Sequence, residues 1–123
     1  MNNVISGNVG SGISNYSSST STIIGNTITS NGAYGIINST SSPRIINNTI
    51  TGNSYSGIEI NSPSSPMIFH NKIDNNGGNN FTDIYVSSNS TPNISFNIYN
   101  DITGTTGVGM YNVNSGGGAA PAP

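Results

Sequence analysis

Two stretches of the chain are nearly the same phrase: residues 26–37 read NTITSNGAYGII and residues 48–60 read NTITGNSYSGIEI. A repeat of about this length is one supersecondary unit copied along the chain. It restricts the fold to architectures in which like units stack on one another. The motif Asn-x-Ile occurs at Asn3-Val4-Ile5, Asn26-Thr27-Ile28, Asn48-Thr49-Ile50, Asn71-Lys72-Ile73 and Asn100-Asp101-Ile102, in steps of 23, 22, 23 and 29 residues. A second series follows each copy: Gly12-Ile13, Gly35-Ile36, Gly57-Ile58, Asp83-Ile84 and Gly109-Met110. The gap between the two apolar positions is 8 residues in every copy but one; it is 11 between Ile73 and Ile84, where Gly77, Gly78, Asn79 and Asn80 lengthen the connection. A third series, Ile23, Ile45, Ile68 and Ile94, opens the later copies.

Each unit therefore holds three short strand-like pieces, separated by bends rich in Asn, Gly, Ser and Pro. Pro43, Pro66 and Pro92 stand just before the third series, where a fixed φ suits the end of a loop. Helical spacing of apolar residues is not sustained anywhere. One unit cannot bury its own isoleucines, whereas coils stacked about 4.8 Å apart can. The expected fold is all-β: a single-stranded parallel β-helix of about five rungs, each of 22–26 residues. Ile5, Ile28, Ile50, Ile73 and Ile102 then form one buried ladder, and Ile13, Ile36, Ile58, Ile84 and Met110 another. Asn26, Asn48 and Asn71 are expected to form an asparagine ladder, with Asn8, Asn31, Asn53 and Asn76 as a second. The repeat domain spans residues 1–114, and 115–123, SGGGAAPAP, has the composition of a linker or tail.

Phrases such as SSPRIINNTITGNSYSGIEI, residues 41–60, resemble the right-handed parallel β-helix repeat of pectate-lyase-like proteins and of the periplasmic copper-protein maturation family. The resemblance covers roughly residues 3–113 and implies a right-handed coil. It does not imply an activity, because one solenoid carries many functions. Lyases of this kind use clustered acidic calcium ligands and a basic residue on an outer sheet, and hydrolases use carboxylates held at a fixed separation.

The acids here are Glu59, Asp74, Asp83 and Asp101, and the spacing distributes them over different columns of the stack. No paired-carboxylate site emerges and no catalytic residue carries over, so the reading leans away from an enzyme. Lys72 and Asp74, with Asp101 one rung on, form the best charged group. An ordinary surface ion pair worth less than about 1 kcal/mol accounts for it. His70 reads as a bend or packing residue, since no second His and no Cys exists to complete a transition-metal site. No cofactor is expected. The outward column Ser14, Ile37, Glu59, Tyr85 and Tyr111 is the candidate binding face, for a glycan or for a neighbouring coil. Thr27, Thr29, Thr49 and Thr51 make a small flat array resembling those of ice-binding solenoids, although threonine is also simply a good strand residue. Sequons lie at Asn15, Asn38, Asn47, Asn80, Asn89 and Asn93, with Asn47 the poorest acceptor because it adjoins a ladder position.

Only 5% of residues are charged and the net charge is −2, which excludes the basic footprint of a nucleic-acid binder. No apolar stretch approaches the roughly 20 residues that span a bilayer. Cysteine is absent, so no disulfide forms. The opening MNNVISGNVG has neither the basic nor the apolar region of a signal peptide. Together these features lead to an expectation of a mature, non-catalytic structural segment, extracellular or on the cell surface. It would associate with itself by stacking end rungs into fibres. The alternatives are a polysaccharide-binding module or an inactive fragment of a carbohydrate-active enzyme.

Overall fold

A computed structural model describes residues 2–61, 63–78, 81–87, 89–99 and 102–104, the last three and 98–99 as backbone only. The first coil carries β1 (Val4–Ser6), β2 (Ile13–Tyr16) and β3 (Thr22–Ile24). The second carries β4 (Thr27–Thr29), β5 (Ile36–Ser39) and β6 (Arg44–Ile46), and the third β7 (Thr49–Thr51), β8 (Ile58–Asn61) and β9 (Met67–Phe69). The fourth carries β10 (Lys72–Asp74), β11 (Ile84–Val86) and β12 (Asn93–Ser95), and a fifth begins with β13 (Ile98–Tyr99) and β14 (Ile102–Gly104). Each strand pairs in parallel with the strand one coil away, giving three sheets. Sheet A is β1-β4-β7-β10-β13, sheet B is β2-β5-β8-β11-β14 and sheet C is β3-β6-β9-β12. The described residues thus make about four complete turns plus two strands of a fifth.

The register aligns like with like. Ile5 pairs with Ile28, Ile28 with Ile50 and Ile50 with Ile73 in sheet A. Ile13, Ile36, Ile58 and Ile84 align in sheet B, and Ile23, Ile45, Ile68 and Ile94 in sheet C. Apart from the partly buried Ile5 and Ile13, these side chains form the core with Ile60 and Val86. Burial of each isoleucine contributes about 1.5–3 kcal/mol.

The bends are held by buried asparagines. Asn48 Nδ2 donates to the Ile46 carbonyl of its own coil (3.1 Å), to the Ile23 carbonyl of the coil before (2.9 Å) and to Asn71 Oδ1 of the coil after (3.0 Å). Its backbone N–H also donates to Asn71 Oδ1 (2.9 Å). The expected ladder of Asn26, Asn48 and Asn71 forms, and Asn3 and Asn97 extend it at either end. The second expected ladder, Asn8, Asn31, Asn53 and Asn76, also forms. Before the first ladder's asparagines the chain turns through a left-handed residue: Gly25 (φ 69), Asn47 (φ 55), His70 (φ 58) and Phe96 (φ 54). Asn47 is thus an exposed bend residue.

The fifth coil departs from the sequence expectation. Asn97 takes the ladder position, accepting from Asn71 N and Nδ2 at 2.9 and 3.0 Å. Tyr99 therefore pairs with Ile73, and Ile102 falls into sheet B opposite Ile84. The Asn100-Asp101-Ile102 phrase is not the next copy of the motif, and Ile102 belongs to the second ladder in the place expected for Met110. Met110 itself lies outside the described residues, as does the 115–123 tail. Among the described residues the second ladder ends not on a further asparagine but on Asp83. Its Oδ1 accepts from Asn76 N (3.2 Å) and Nδ2 (3.1 Å) and closes the second ladder. The column below it is Gly12, Gly35 and Gly57, and a Cβ at Gly57 would meet Ile73 Cγ2 and Asn76 Nδ2 at 2.7 Å.

A third asparagine column is cut short. Asn15 Nδ2 donates to Asn38 Oδ1 at 2.9 Å, but the next position is Ile60, so the fully buried Asn38 Nδ2 has no acceptor. The two columns predict losses of different size for the same chemical change. Asn53→Leu strips partners from Asn31 and from the Ile28 and Thr51 carbonyls. It is expected to cost about 2–4 kcal/mol, whereas Asn38→Leu, which removes a donor already unpaired and leaves only Asn15 Nδ2 without its acceptor, should cost less, about 1–2 kcal/mol. Urea unfolding of both variants measures the difference, and equal losses would show that ladder bonding does not set the stability of the bends.

Candidate functional site

The outward face of sheet B is built by the alternation of its strands. In β8, Ile58 and Ile60 enter the core and Glu59 between them turns to the other side. Register places Ser14, Ile37, Glu59 and Tyr85 in one row along the coil axis, as the sequence predicts. The last member is corrected: Thr103 stands beside Tyr85, because the fifth coil is shifted in phase, and Tyr111 lies outside the described residues. A parallel row holds Tyr16, Ser39 and Asn61.

Glu59 is more enclosed than an outward position on a sheet suggests, with only 8% of its surface exposed. Ile37 and Tyr85 flank it in the adjacent strands. Removal from water pushes its carboxyl above the ordinary value of 4.5, against the opposing effect of a hydrogen bond with Ser56. Burial also raises the Tyr34 phenol, and the next contribution is the negative field of Glu59, followed by Tyr55, Tyr16 and Tyr85. Tyr34 thus lies within the field of Glu59 and of three other tyrosines.

Sequence reasoning missed part of this cluster. Tyr34 meets Tyr55 edge to face with ring centroids 5.2 Å apart, and Tyr55 stacks on Phe81 at 4.6 Å. Tyr55 and Phe81 each stand two residues before the Gly57/Asp83 column, and this offset was the available signal. Tyr34 is one residue out of step with them, since the Tyr55 N–H bonds to the Ala33 carbonyl. Tyr16, Tyr55, Phe81 and Tyr85 all keep exposed ring surface. Register sets Tyr16 in the row of Ser39 and Asn61 and Tyr85 beside Glu59, so these two rings border the polar residues of the face.

The other singled-out residues do not join this face. Lys72 Nζ lies 3.6 Å from Asp74 in sheet A, an exposed pair worth less than about 1 kcal/mol. Ile98, and not Asp101, pairs with Lys72. Asp83 is buried in the bend described above. His70 sits at its left-handed bend between Phe69 and Phe96, with ring centroids at 6.1 and 5.6 Å. Thr27 and Thr29 align with Thr49 and Thr51, half buried. Among the sequons, Asn15 and Asn38 are buried ladder residues, while Asn47, Asn89 and Asn93 are exposed. Among the described residues, no group of three or more His, Cys, Asp or Glu could hold a metal ion. Among the described residues, no helix is long and apolar enough to cross a membrane.

Three parallel sheets wound from a coil of some 23 residues, with an isoleucine interior and asparagine-bonded bends, define a parallel β-solenoid. The chain belongs to the right-handed β-helix family: the family model described as "Right handed beta helix region" matches residues 1–119. Comparison with curated proteins and with solved structures returns no match.

The burial of Glu59 has a measurable consequence. A folded-state value above the unfolded one means that the native chain holds this proton more tightly, so the contribution of Glu59 to stability falls as pH rises from about 4.5 through the folded value. Glu59→Gln removes that loss. The melting temperature of the variant relative to the parent should therefore be higher at pH 7 than at pH 4, as read by circular dichroism. A difference that shrinks with rising pH would mean that an ionised Glu59 is favoured by its surroundings.

Proposed function

We propose that this chain is a non-catalytic, extracellular or cell-surface β-helix segment whose sheet B face binds polysaccharide. The observation that carries the reading is the aromatic rim: Tyr16, Tyr55, Phe81 and Tyr85 are each at least 36% exposed, and register sets Tyr16 in line with Ser39 and Asn61 and Tyr85 in line with Glu59. Exposed rings offer flat apolar surface to the faces of sugar rings, and hydroxyl, amide and carboxyl groups between them meet sugar hydroxyls. The face runs along the coil axis over successive strands, so it suits an extended chain better than a single compact ligand.

Truncation of the rim separates this reading from an inactive enzyme remnant. Tyr85→Ala combined with Tyr16→Ala should lower retention in glycan-containing native gels by about tenfold or more, as loss of two stacking anchors predicts. The melting temperature should change little. Retention unchanged by the double substitution would sink the aromatic face as the binding surface.

A second reading, self-association by coil stacking, has its own support. Among the described residues, β1, β2 and β3 are edge strands of the three sheets, with Ile5 and Ile13 only partly buried and Val4 69% exposed. Such edges pair readily with a further coil, and contacts of this head-to-tail kind grow filaments. Light scattering with negative-stain microscopy should show concentration-dependent filaments. A monodisperse monomer at high concentration would dispose of the stacking reading without touching the glycan face.

A further inference from the structure

The charge distribution narrows the class of polysaccharide, given the binding face proposed above. The chain has two cations, Arg44 and Lys72. Arg44 belongs to β6 in sheet C and Lys72 to β10 in sheet A, so neither is carried by the strands of sheet B. Across the five strands of sheet B, the single ionisable acid or base with a formal charge near neutral pH is Glu59. It lies in the middle of the row, between Ile37 and Tyr85, and its field reaches Tyr34.

We propose that this face accepts uncharged sugar units and rejects polyuronates, with Glu59 as the residue that determines the discrimination. An ionised carboxylate is an acceptor only, and neutral sugars bring hydroxyl donors. A uronate would bring a second carboxylate to a shielded one, with no cation on sheet B to stand between them. Like charges at such separation in partly dehydrated surroundings repel strongly, and building repulsion against the wrong ligand is a general route to specificity. Ser39 and Asn61, in the neighbouring row, add hydroxyl and amide groups that favour neither charge.

The test uses one polymer in two charge states: homogalacturonan in its fully methyl-esterified form and in its de-esterified form. Unbranched β-glucan and galactan serve as further neutral probes. Retention in affinity gels at pH 7 and low salt is expected for at least one neutral polymer, with the de-esterified homogalacturonan at least about tenfold weaker than its ester. Glu59→Gln, checked for folding by circular dichroism, should close that gap, and added salt should narrow it in the parent chain. Equal retention of both forms by the parent, or a gap that Glu59→Gln leaves unchanged, overturns the charge discrimination while leaving glycan binding in place. Retention of none of these polymers overturns the binding face itself, and the discrimination with it.

Discussion

The buried asparagine amide at the bend between sheets C and A is the interaction on which the rest of the molecule depends. One side chain bonds the strand end of its own coil, the carbonyl of the coil before and the asparagine of the coil after. A bend buried without such partners would leave backbone groups unsatisfied at about 1–3 kcal/mol each. The amide supplies a donor pair and an acceptor in the geometry that a tight turn and a coil spacing of about 4.8 Å require. Isoleucine burial provides more total free energy, but it is tolerant of position. The amide bonds are directional, and they decide which residue of each coil lies over which.

This ordering of effects explains the strained bends. Phe96 adopts φ 54, a conformation costly for a bulky side chain, of order 1–3 kcal/mol. Gly25 occupies the same turn at φ 69 without that cost. The chain nevertheless accepts Phe96 there, because Asn97 directly after it bonds the Ile68 and Ser95 carbonyls and receives two donors from Asn71. Several good bonds outweigh one unfavourable dihedral.

It also explains what could be read from the sequence and what could not. The coil, the three isoleucine columns and both asparagine ladders follow from spacing alone, because the period is nearly constant from Asn3 to Ile73. The fifth coil offers two phrases three residues apart, Asn97-Ile98-Tyr99 and Asn100-Asp101-Ile102. Matching the isoleucine selects the second. Matching the asparagine to the ladder, with Tyr99 five residues after Ile94 just as Ile73 follows Ile68, selects the first. The apolar letter was the weaker guide because tyrosine can stand at an isoleucine register position, whereas an apolar residue in place of Asn97 would leave the Ile68 and Ser95 carbonyls and the Asn71 donors unpaired. The same logic covers Asp83, whose place in the glycine column looked like a substitution and is in fact the end of a ladder.

The binding face was legible only where it obeys the register. Ile37, Glu59 and Tyr85 form one row because strands alternate with period two, and that much follows from the letters. Tyr34, Tyr55 and Phe81 lie in bends, where side-chain direction depends on turn geometry and neighbouring columns can meet. The sheet sets Glu59 between an isoleucine and a tyrosine, Ser56 in the preceding bend hydrogen-bonds its carboxyl, and its field reaches Tyr34. A single glutamate in a chain with 5% charged residues thereby acquires an environment unlike that of an ordinary surface acid, and charge at this face is governed by one side chain.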